Sequence, residues 1–140
     1  TANFSNIDLK GDFYNSVGWG KLTDKLNMVL NFNKSNVTGV ISASESHHPS
    51  AKITPANHTE FHSITDKVCP AVNNGVIVNL TEGSKWTVTG TSYLTKLVVE
   101  KGSSVVAPSG RTLTMTVDGG RPVTNITEGE YKGNIVLTVK

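Results

Sequence analysis

One cysteine, two arginines and no glutamine stand in a chain of 140 residues. The lone Cys69 has no partner within the chain, so a disulfide framework is excluded. Two arginines and a net charge of +2 leave no basic face of the kind that nucleic acid demands. No run of about 18 apolar residues occurs, which excludes a helical membrane span. Good helix formers are scarce. Ala, Leu and Met together number fewer than half of Val, Ile and Thr, and β-branching on that scale argues against a helical bundle. The length suits one domain, residues 1–140, and an apolar share of 36% is modest but sufficient for one core.

Thr, Ser, Gly and Asn dominate what is present. Weak charge with almost no cysteine is a composition associated with exported bacterial surface proteins, so an extracellular setting is expected. Thr1 opens the chain without a Met, a basic region or an apolar stretch, as in a processed or excised segment. Six N-x-[S/T] sequons begin at Asn3, Asn33, Asn36, Asn57, Asn79 and Asn125. They would accept glycans in a eukaryotic secretory route, and are also expected by chance in such a composition.

Period-two patterning is clearest in residues 76–140. Val76 to Leu80, Lys85 to Thr89, Tyr93 to Val99, Ser104 to Ala107, Thr112 to Val117 and Asn134 to Val139 are predicted strands, separated by Gly- and Pro-bearing turns. Their inward face is expected to carry Trp86, Val88, Leu113, Met115, Val117, Ile135, Leu137 and Val139. Asn79-Leu80-Thr81-Glu82-Gly83 returns as Asn125-Ile126-Thr127-Glu128-Gly129, with Val99-Glu100-Lys101-Gly102 between them. Such an echo suits a β-solenoid, in which each rung stacks on the last; a β-sandwich is the alternative. In residues 1–45 a strand is predicted over Leu26 to Phe32, where Leu22, Leu26, Val29 and Phe32 also fit a helix, and another over Val37 to Ala43, broken at Gly39. Residues 46–75 hold all four His and three of the five Pro and show no alternation, so they are expected as an irregular loop excursion.

The run Gly83-Ser84-Lys85-Trp86-Thr87-Val88-Thr89-Gly90-Thr91-Ser92-Tyr93-Leu94-Thr95-Lys96-Leu97 resembles right-handed parallel β-helix segments of bacterial surface proteins, of the adhesin and autotransporter-passenger type. Asn73-Asn74-Gly75-Val76 and Gly133-Asn134-Ile135-Val136-Leu137 extend the resemblance over residues 73–140, and residues 1–45 share it loosely. It implies a rung-stacked fold at the cell surface and carries no catalytic residues.

His47, His48, His58 and His62, with Glu60 and Asp66 nearby, form the sharpest chemical cluster. They are candidate ligands for zinc or another divalent metal, the single cofactor the sequence suggests. Their spacing matches no zinc signature, and a polar loop with imidazoles on backbone carbonyls is the competing reading. Cys69 beside one of them would make a nucleophile pair, although a small buried hydrophobe is commoner. Trp19, between two glycines, and Tyr14 are the candidate sugar-stacking platforms, and capping an end of the stack is the other role open to them. The Thr112, Thr114 and Thr116 face is too short for an ice-binding array. The five Asp are scattered, unlike the acid clusters of polysaccharide-degrading β-helices.

The expected function is therefore a non-catalytic structural or display segment of an exported bacterial surface protein, adhesive toward glycans or host protein. A carbohydrate-binding module comes second and a polysaccharide-active enzyme third. Neighbouring domains of a longer parent are the expected partners. Ile135 to Val139 is expected as an uncapped last rung prone to self-association, with Phe4, Phe13, Tyr14 and Trp19 capping the other end.

Overall fold

The computed structural model describes residues 1–17 and 26–140. Among these the regular structure is strand, apart from one short 3-10 helix at His58–His62, so the chain is all-β as expected. A first circuit runs through β1 (Ala2–Ser5), β2 (Asp8–Lys10) and β3 (Phe13–Val17). A second runs through β4 (Met28–Asn33), β5 (Asn36–Gly39) and β6 (Ile41–His47). Then come β7 (Thr65–Val68), β8 (Val76–Thr81), β9 (Lys85–Val88), β10 (Ser92–Val99), β11 (Ser104–Val106), β12 (Leu113–Val117) and β13 (Gly129–Val139).

Successive circuits place equivalent strands side by side. One sheet has the order β1-β4-β8-β10-β13-β12, a second β2-β5-β9-β11, and a third β3-β6-β7. Ala2 lies beside Leu30, Asp8 beside Asn36 and Phe13 beside Ile41, all in parallel pairs. Each pair is 28 residues apart, as the cross-circuit side-chain bonds also are. The next circuit is longer, with Met28 beside Val76 and Asn36 beside Lys85. The one after is short, with Ile77 beside Lys96 and Lys85 beside Ser104. Circuit length varies while the strands stay in parallel register.

Inward side chains alternate with outward ones, as the pleat requires. Val76, Val78 and Leu80 of β8 are fully buried, and so are Phe32, Val37, Ile41, Trp86 and Leu137. Trp86 fills the centre, and its indole N–H donates to the Gly39 carbonyl at 3.0 Å. Phe4 stacks on Phe32 with ring centroids 5.0 Å apart, and Phe13 meets both edge-on. Gly39 is required by close approach. A Cβ there would lie 1.9 Å from the Gly11 carbonyl oxygen, where the corner of the first circuit crosses the second. Asp12 ties the same corner by accepting the Val40 N–H at 2.7 Å.

The six strands expected in residues 76–140 are all present, with Val117 and Val139 half-buried rather than central. The strand expected from Leu26 begins at Met28, and Leu26 is 55% exposed. Leu22 lies outside the described residues. Two expectations need correction. The 46–75 excursion is not wholly irregular, since β7 pairs antiparallel with β6, Glu45 facing Lys67 and Ser46 facing Asp66. Nor is the last strand an uncovered rung. β13 reverses direction and pairs antiparallel with β10 on one side and β12 on the other. Val123 bridges to Met115 beyond β12, and Ile126 packs into the core from that segment. Gly83 and Gly102 lie side by side just beyond the parallel pair β8 and β10, a Cβ built on Gly102 falling 4.0 Å from the Gly83 Cα. The Gly129 echo instead marks the reversal.

Candidate functional site

Trp19 lies outside the described residues. Tyr14 sits on β3, 36% exposed, and its hydroxyl donates to the Asp12 carboxylate at 3.2 Å. Burial raises the Tyr14 pKa above its ordinary value, helped by the charge of Asp12, the bond to it, and the charge of Asp66. The ring is thus held by its own corner.

The four histidines spread over the excursion. His47 Nε2 lies 3.4 Å from a Glu45 carboxylate oxygen. His48 Nδ1 lies 3.1 Å from the Glu60 carbonyl and 3.2 Å from that of Ser63, and its ring stacks on Phe61. His58 Nδ1 faces the Pro55 carbonyl at 2.9 Å, and His62 meets Phe61 edge-on. No group of three or more His, Cys, Asp or Glu among the described residues is placed to hold a metal ion. The Cys69 thiol is pushed up by burial and by Glu45, against a smaller opposite effect of Lys67, which disfavours the thiolate.

Two polar assemblies went unrecognised in the sequence. Ser16 of β3, Ser44 and Ser46 of β6 and Asp66 of β7 converge, with the Ser46 hydroxyl 2.9 Å from the carboxylate. Their hydroxyls supply the donors that a carboxylate there needs. The other is a column of amides. Asn31 donates to Asn3 at 2.7 Å and Asn79 to Asn31 at 2.6 Å, across β1, β4 and β8.

A groove of about 500 Å³ lies on the outer side of the six-stranded sheet. Val29, Ile77, Lys96 and Lys132 follow one another across β4, β8, β10 and β13. The groove lies over the last three, with Thr95, Gly75 and Asn27 beside them and Ala71, Val72 and Asn73 as its wall. Asn74 fixes that wall. It is 4% exposed, accepts the Val72 N–H at 2.9 Å, and donates to the Asn15 and Ser44 carbonyls at 2.6 and 3.2 Å. Gly75 leaves room for the floor, since a Cβ would come within 2.5 Å of the Asn27 amide oxygen and 3.0 Å of the Thr95 hydroxyl.

Comparison with family models, curated proteins and solved structures finds no match to this chain. The site therefore rests on its own chemistry. Lys96 and Lys132 are direct cross-strand partners, an arrangement that like charges disfavour. Lys96 is neutralised by Glu130 at 3.1 Å. No ion pair forms at Lys132 among the described residues. Alternation alone would have marked Lys132 as outward, whereas in β10 it breaks between Leu94 and Leu97. The meeting of Lys96 and Lys132 depends on the reversal of β13, which no local pattern announces.

Proposed function

We propose that this chain is a non-catalytic structural and display segment of an exported bacterial surface protein, wound as a short right-handed parallel β-helix. The observation that carries the reading is the shared 28-residue offset between β1 and β4, β2 and β5, and β3 and β6. A single offset across three sheets is what one coil laid upon another produces. A β-sandwich joins antiparallel strands by Greek-key connections and generates no such offset. The right hand follows from the general preference of parallel crossovers.

A stalk segment needs a face for its neighbour. β1, β2 and β3 each stand at one end of their sheet, so the first coil offers three strand edges together. Edges of this kind recruit further strands. A coil from a neighbouring domain of the parent is the partner that fits them, and adhesive contact with glycans or host protein falls to the outward faces.

The setting is tested by treating intact source cells with an external protease and following the chain by antibody. Digestion without lysis is the expected result; protection until lysis would overturn the surface assignment. The winding is tested by sedimentation of the isolated chain. Concentration-dependent association that is lost in Leu9→Lys, a charge placed in the β2 edge, is expected. A strict monomer at high concentration would count against an open end.

A further inference from the structure

We infer that the groove over Ile77, Lys96 and Lys132 is a binding site for a carboxylate-bearing saccharide, a uronic-acid segment of an acidic glycan. This goes beyond the structural role, since a stalk needs no paired cations on its outer face. Three observations on separate elements converge there.

The first is charge. β10 and β13 set two lysines directly opposite one another, while among the described residues a single carboxylate, Glu130, is in contact with Lys96. Repulsion across the strands is relieved when a second anion enters beside Lys132. The second is the kind of polar group. Asn27 and Asn73 line the groove, and neither side chain makes a hydrogen bond among the described residues. Each amide offers donors and an acceptor together, the combination that adjacent sugar hydroxyls require. Ile77, Ala71 and Val72 supply an apolar surface for the C–H faces of a ring. Val72 is 71% exposed.

The third is construction. The wall is pinned by the three hydrogen bonds of buried Asn74, so the groove is preformed. The pairing of β10 with β13 slips between Leu94 and Lys96. Leu94 faces Ile135 and Lys96 faces Lys132, so β13 carries an extra residue at Gly133 and Asn134. Bulges of this kind re-aim side chains and gather beside functional sites. A volume near 500 Å³ also lies within the ~300–1,000 Å³ usual for small-ligand sites. An acidic peptide would satisfy the lysines but would leave the two amides without paired hydroxyls.

The test is isothermal titration of the full chain with a galacturonic acid trimer, beside a neutral galactose trimer and a glutamate tripeptide. Binding of the uronate alone is expected, weakening as salt rises. Lys132→Gln is expected to weaken it about tenfold, the equivalent of one charge-assisted hydrogen bond. Lys85→Gln on β9 is expected to leave it unchanged. Thermal melts verify folding, and Lys132→Gln is expected to melt no lower than the parent because it removes a repulsion. Equal binding of the neutral trimer, equal or tighter binding of the glutamate peptide, no uronate binding by folded protein, or binding that survives Lys96→Gln with Lys132→Gln would each overturn the assignment.

Discussion

The two ends of the six-stranded sheet are finished in opposite ways. At one end, β1, β2 and β3 run parallel to β4, β5 and β6, and no strand among the described residues pairs with their outer edges. At the other end the chain turns round, and β13 and β12 close the largest sheet with antiparallel pairs. The apolar side chains differ accordingly. Leu113, Met115, Ile135 and Leu137 are buried at the reversed end, whereas Phe4, Leu9 and Phe13 are half-buried at the open one. A parallel edge invites continuation in register; a reversal in strand direction ends it. One solution suits joining and the other suits terminating.

The contrast predicts unequal costs for comparable truncations. Leu137→Ala is expected to lower unfolding free energy by about 2–5 kcal/mol, because its cavity is enclosed on every side. Phe4→Ala removes a larger ring but from one side of the stack only, and about 2 kcal/mol is expected. Urea denaturation measures both. Equal losses, or a larger loss at Phe4, would break the comparison.

Gly39→Ala sharpens it. The new methyl group collides with the Gly11 corner, so the segment joining β2 to β3 must shift. Among the described residues β1, β2 and β3 each pair with one neighbouring strand, so the expected cost is about 2 kcal/mol. Hydrogen exchange should accelerate across residues 2–17 while β12 and β13 keep their protection. Uniform acceleration would mean that the ends are not independent.

The smallest effect concerns Tyr14. Its pKa is raised in the folded state, chiefly by burial and then by Asp12. The sign follows: its contribution is intact below the unfolded value of 10.0 and is lost as pH climbs through the higher folded one. Stability above pH ~10 should therefore fall slightly less steeply in Tyr14→Phe than in the parent. Parallel curves in a denaturation series from pH 8 to pH 11 would remove Tyr14 from the open end's accounts.

Strand content was legible because period-two burial leaves a local trace, as in Val76-Ile77-Val78-Asn79-Leu80. The reversal at β13 was not, since Ile135, Leu137 and Val139 alternate identically in a parallel or an antiparallel strand. β7 was hidden by its exposed Thr65, Asp66 and Lys67, which show no apolar face. The lysine groove was hidden twice over, by the reversal and by the bulge beside it. Histidines drew attention by residue type, whereas Lys96 and Lys132 matter through the pairing that brings them together.

The amide column has a consequence for how the chain tolerates change. Asn79 donates to Asn31 and Asn31 to Asn3, in one direction, and the place after Asn79 belongs to Val98. A slip of one residue in β4 would set an amide against Phe32 or Leu30 and break the chain of donors. The column thus acts as a key cut to one frame. Intervals as different as 28 and 48 residues separate its teeth, so the frame is set by the teeth and not by the distance between them. Insertions between β6 and β7 can lengthen that connection without displacing the column, which frees that stretch to diversify while the sheets stay the same.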